Sequence, residues 1–136
     1  MIPIEELKKQ HQEIGELLVV LSLLVPDDTA RKTRIVERLF SELAKKVSDH
    51  IHLEEATLYK DLLVHKDDQI QRMARNFING SQELKRLFTR YIRHDCTKMA
   101  KEENCSAFIK ETEDIFGILQ KRIEVEESRF YPLATK

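Results

Sequence analysis

The sequence predicts an all-α protein, an up-down-up-down antiparallel four-helix bundle, on three observations. The chain has 136 residues, 35% of them charged and 41% hydrophobic, with three Gly, three Pro and no Trp; this is a helical composition. Apolar residues step by three and four along four long stretches. A segment also repeats: HIHLEEATLY, His50 to Tyr59, returns as RIEVEESRFYP, Arg122 to Pro132, at a constant offset of 72 residues. Each half of the chain is then a helix pair, and two pairs make a bundle. The length suits one domain, residues 1–136, with a real hydrophobic core.

The first helix is expected from Met1 to Val25. Pro3 stands in its first turn, where a missing N–H costs nothing, and Glu5 and Glu6 favour the positive end of the helix dipole. Ile4, Leu7, His11, Ile14, Leu18, Leu21 and Val25 form its seam, and His11 is the one polar member. Pro26 and Asp27 end the helix, and Asp28 or Thr29 is placed to cap the next.

The second helix is expected from about Ala30 to Val64. Its seam is Val36, Phe40, Leu43, Val47, His50, Glu54, Leu58 and Leu62. His50 and Glu54 therefore face inward one turn apart, while His52 and Glu55 fall to the flank. The third helix follows a cap at Asp67 or Asp68 and runs to the mid-90s, along Ile70, Met73, Phe77, Ser81, Leu84, Phe88 and Tyr91. His94 lies near its C-terminus, where its charge suits the dipole. A polar connection occupies 96–104. The fourth helix is expected from Asn104 or Cys105 to Phe130, with Pro132 as its stop. Its seam is Phe108, Thr112, Ile115, Leu119, Arg122, Glu126 and Phe130.

Composition excludes several classes. Lys and Arg total 23 against 24 Asp and Glu, so there is no basic footprint for nucleic acid. The longest apolar run, Leu17 to Val25 with Ser22 inside it, is too short to span a bilayer. The expected setting is soluble and cytoplasmic, with no membrane partner. Cys96 and Cys105 match no zinc or redox spacing and read as ordinary thiols, with local pairing as the other option. No nucleophile–base pairing and no phosphate-binding glycine loop is present, so the expectation is a binding protein and not an enzyme.

The seams bring His11, His50, Glu54, Ser81, Arg122 and Glu126 into one core. Isolated polar groups there would cost several kcal/mol, so they must meet one another. His11, His50, Glu54 and Glu126 supply two imidazoles and two carboxylates, an ordinary ligand set for iron, manganese or zinc. The alternative is a metal-free network in which Arg122 pairs with Glu54 and Glu126 and the histidines are satisfied by hydrogen bonds.

Over essentially its whole length the chain resembles the hemerythrin-like, or HHE cation-binding, family. The resemblance rests on His11, the HIHLEEATLY segment and the second EE-x-x-x-Y-P segment. It implies a bundle holding non-haem iron, with oxygen or nitric oxide as small ligand, in sensing, storage or redox response. Family members usually hold two irons. Here His11, His50, Glu54 and Glu126 match the family's ligands, while Ser81 and Arg122 stand where the third and fourth helices usually carry histidine. The losses fall on one side of the pair, which implies one remaining metal and a degenerate second site. Arg122 would lie beside that vacated position and neutralise the carboxylates there. A metal-free interaction or regulatory module, with Arg122 replacing a metal and an unidentified protein partner, is the competing expectation.

Overall fold

The computed structural model describes residues 2–92 and 106–134. The expected roles of His94, Cys96 and Cys105, and the connection at 96–104, lie outside the described residues. Eight elements follow in order: α1 (Ile4–Leu24), α2 (Asp28–Arg31), α3 (Arg34–Ala56), α4 (Leu58–Leu63), α5 (Asp68–Arg90), α6 (Ser106–Val125), a π turn (Glu126–Phe130) and α7 (Tyr131–Ala134). The long helices α1, α3, α5 and α6 make the four-helix bundle, and α3 packs on both α1 and α5 while α6 packs on α1. No strand occurs among the described residues, and no helix among them is long and apolar enough to cross a membrane.

Local chemistry sets the helix starts. Asp27, not Asp28 or Thr29, caps α2, its carboxylate accepting from the N–H groups of Thr29 and Ala30 at 2.9 Å. Thr33 caps α3, and Asp67 caps α5 through the Gln69 N–H at 2.8 Å. Arg31 is buried at the α1–α2 corner, donating to the Val25 carbonyl at 2.9 Å and pairing with Asp28 at 2.8 Å.

Two expected continuous helices are broken, and the breaks at Thr57 and after Val125 matter for the site. The helix expected from Ala30 to Val64 is interrupted at Lys32–Thr33 and again at Thr57. The Thr57 hydroxyl donates to the Leu53 carbonyl at 2.7 Å, and its backbone leaves the helical region at φ −126, ψ −77. A β-branched hydroxyl competing for the carbonyl one turn back weakens a helix there. Pro132 likewise does not stop the last helix; the chain stays helical to Ala134. In an unbroken α-helix its ring would meet the carbonyl four residues earlier. Instead α6 widens into the π turn, where the Tyr131 N–H reaches the Glu126 carbonyl five residues back, and Pro132 falls in the first turn of α7.

The core is two apolar clusters with a polar layer between them. Leu18, Leu21, Leu43, Phe88, Tyr91 and Phe108 belong to the first cluster. Ile4, Leu7, Leu58, Leu62, Phe130 and Tyr131 belong to the second. On α5 the seam is rotated slightly from expectation: Ala74 is buried and Met73 is exposed. At the level between the clusters α1 places His11, α3 places His50 and Glu54, and the π turn places Glu126, and those residues form the site.

Candidate metal centre

His11, His50, Glu54, Ser81 and Glu126 are each 5% exposed or less. The four named as metal ligands by sequence, His11, His50, Glu54 and Glu126, present one ligand atom each, all within 4.8 Å of one another. An ion bound at about 2.1 Å keeps opposite donors about 4.2 Å apart, so only small side-chain movements separate this arrangement from a coordination shell. The four come from α1, α3 and the π turn, which fixes the layer at the contact between the bundle's halves.

The hydrogen bonds form a nearly closed ring. His11 lies between two glutamates, its Nε2 2.9 Å from Glu126 Oε1 and its Nδ1 2.8 Å from Glu127 Oε2. The Tyr59 hydroxyl stands 3.1 Å from Glu54 Oε1 and 3.0 Å from Glu126 Oε2. The Tyr131 hydroxyl donates to Glu54 Oε2 at 3.0 Å and lies 3.1 Å from His11 Nε2. His50 Nδ1 donates to the Gln10 side-chain oxygen Oε1 at 2.7 Å, which turns the other ring nitrogen inward. Orientation of a ligating imidazole through its second nitrogen is a regular feature of metal sites, and both histidines have it, through Gln10 and Glu127.

One atom is left over. His50 Nε2 is 3.1 Å from Glu54 Oε2 and 3.6 Å from Glu126 Oε1, yet it makes no hydrogen bond. A fully buried nitrogen aimed at two carboxylates without a bonding angle is costly on its own. It is well placed as a donor to a cation lying between them. The residues present therefore fit a metal: His11, His50, Glu54 and Glu126 would hold it, and a divalent ion there would supply the positive charge the carboxylates share.

The protonation pattern reports the same crowding. Burial pulls the His50 imidazole down, but the Glu126 and Glu54 carboxylates outweigh it and raise its pKa to about 9. Burial, and then the neighbouring Glu126, push Glu54 up to about 8 against the pull of His50. Glu126 is also buried, but contacts with Glu54, His11 and His50 hold it well below the usual carboxylate range. Tyr59 has one hydroxyl proton for two carboxylate oxygens, so both contacts are satisfied when Glu54 carries a proton of its own. Burial, followed by the glutamates, raises both Tyr59 and Tyr131.

Ser81 and Arg122 lie to one side of this ring. Together with His50, Glu54 and Glu126 they line a small cavity of about 30 Å³. Arg122 does not behave as expected. Its guanidinium lies 3.7 Å above the centre of the Phe77 ring and donates to the Phe77 carbonyl at 3.0 Å. Among the described residues it pairs with neither Glu54 nor Glu126, so it does not take the role of a substitute cation. A stacked guanidinium with a carbonyl acceptor is well satisfied at the helix interface, and it has no need to enter the polar layer. His52 is exposed and Glu55 is half-buried, as expected of flanking positions.

Sequence reasoning missed Tyr59, Tyr131, Gln10 and Glu127. Each tyrosine lies five residues after its glutamate. In a regular α-helix that offset rotates a side chain about 140° away. The break at Thr57 and the π turn undo this rotation in the two halves. The available signal was the repeat itself, which aligned Tyr59 with Tyr131 alongside Glu54 with Glu126.

The family model of the hemerythrin HHE cation binding domain matches residues 2–134. No curated protein matches the chain significantly, and no solved structure does. The match covers the polar layer and all the helices that build it, and the chain belongs to the hemerythrin HHE cation-binding domain family.

Proposed function

We propose that the protein holds one non-haem iron ion on His11, His50, Glu54 and Glu126 and uses it in sensing, storage or redox response, with oxygen or nitric oxide as small ligand. The observation that carries this reading is the buried donor set with His50 Nε2 left without a hydrogen bond. Mixed imidazole and carboxylate donors suit iron in both of its common oxidation states. One ion is favoured over two because Ser81 is a hydroxyl and Arg122 is turned toward Phe77, so the far side of the carboxylates lacks imidazole. The cavity beside the site, about 30 Å³, has room for a water-sized or diatomic molecule and nothing larger. That size supports a binding role in place of catalysis on an organic substrate.

The test is anaerobic equilibrium dialysis against ferrous iron, manganese and zinc, followed by oxidation of the iron-loaded protein. The reading expects iron to be retained in both oxidation states, and retention to be lost in Glu126→Ala. Release of the iron on oxidation would remove the redox role, and preferential uptake of zinc would remove iron as the resident metal.

A further inference from the structure

Outside the metal layer, α5 and the end of α6 enclose a surface pocket of about 350 Å³. Its apolar lining is Met73, Phe77, Val125 and Phe130; its polar lining is Asn76, Arg122 and Arg129, and among the described residues no Asp or Glu lines it. Phe77 lines it beside Phe130, with 4.6 Å between ring centroids, and the Arg122 guanidinium stacks on the Phe77 ring.

Arg122 is held by two contacts. It stacks on the Phe77 ring and donates through one nitrogen to the Phe77 carbonyl. Gly80 leaves room beside it: a Cβ there would come within 2.9 Å of Arg122 Nη1. Among the described residues neither Arg122 nor Arg129 forms a salt bridge. A guanidinium has five N–H donors in a rigid fork, so most of those on Arg122 remain for a ligand. Two cations without carboxylate partners, over an apolar floor, make a receptor for an anion with an apolar body.

We propose that this pocket binds a small amphipathic carboxylate, with the carboxylate on Arg122 and Arg129 and the apolar tail against Met73, Phe77 and Val125. The inference is independent of the metal reading. It also accounts for a feature the metal site leaves unexplained: why the residue aligned with His50 in the second half is an arginine, and why a glycine faces it. The Arg122 side chain also borders the inner cavity that contains Glu54 and Glu126, so a ligand seated on it would lie next to the metal layer.

The test is a calorimetric or NMR titration of the purified full chain with sodium hexanoate at fixed ionic strength. Hexanamide and inorganic phosphate serve as parallel probes. Hexanoate should bind saturably, hexanamide should not, and phosphate should bind at least about tenfold more weakly than hexanoate, because it leaves the apolar floor uncovered. Arg122→Gln should weaken hexanoate at least about tenfold. Arg129→Gln removes the second charge at an exposed position, so it should weaken hexanoate as well and serves if Arg122→Gln does not fold. Equal binding of hexanamide, equal binding of phosphate, or unchanged hexanoate affinity in Arg129→Gln would each overturn the proposal. So would the absence of saturable hexanoate binding to the parent protein.

Discussion

Metal loading should expel protons, and the number follows from the site. His50 titrates at about 9 and Glu54 at about 8 in the metal-free protein. At pH 7 both groups are therefore mostly protonated. Both must give up their protons to act as ligands. These two groups alone therefore release close to two protons per ion at pH 7, and fewer at pH 8.5. Apparent affinity should rise nearly a hundredfold per pH unit near pH 7 and less steeply above pH 8. The assay is anaerobic titration calorimetry with ferrous iron in two buffers of different ionisation enthalpy. The dependence of the observed heat on buffer enthalpy counts the protons. Zero release at pH 7, or a release that stays constant from pH 6.5 to 8.5, would refute the protonated His50–Glu54 arrangement.

The same groups make the metal-free fold sensitive to pH. The folded pKa values of His50 and Glu54 are raised above 6.5 and 4.5, so the folded state holds the extra protons and loses stability as pH rises, between about pH 6.5 and 9 for His50 and from 4.5 to 8 for Glu54. A shift of the size seen for His50 corresponds to on the order of 3 kcal/mol, and urea midpoints of the apo protein should fall across that range. Glu126 acts in the opposite sense, contributing stability above pH 4.5 that is lost in acid, so with Glu54 losing stability above the same pH the apo optimum from these groups lies near pH 4.5. Tyr131→Phe removes the hydroxyl that donates to Glu54 and should destabilise the apo protein by about 1–3 kcal/mol in chemical denaturation, while iron loading, read by metal analysis, persists. Phe108→Ala, in the far apolar cluster where Phe108 stacks on Tyr91 at 5.8 Å, should cost about 3–5 kcal/mol in the same measurement. Ser81→His combined with Arg122→His restores imidazole on the vacated side and should raise iron uptake above one per chain; unchanged uptake by a folded double variant would remove the degenerate-site account.

The bundle was legible because its seams are regular. His11, His50, Glu54 and Glu126 interrupt apolar stripes at the same level, and a 3.6-residue period is enough to bring them together. The tyrosines were not legible for the opposite reason. Tyr59 and Tyr131 reach the site only because Thr57 and Pro132 force irregular turns, and periodicity carries no information about a turn that departs from it. Arg122 was misread on a different ground. The period places its Cα on the inward seam correctly, but a long side chain chooses among several directions. The Phe77 ring and carbonyl, with the space left by Gly80, draw the guanidinium away from the glutamates. Those partners are contributed by α5, 42 to 45 positions earlier in the chain, and no local pattern links them to Arg122. Gln10 and Glu127 likewise act on the second nitrogens of the histidines from outside the seams.

The central claim is one metal ion on a four-residue buried site. The most direct measurement is native mass spectrometry of the untagged protein after anaerobic reconstitution with ferrous iron and desalting, beside His50→Ala. The account expects one iron per chain, absent from the variant. Two irons per chain would contradict the degenerate second site, and no bound metal in the parent would contradict the metal site itself.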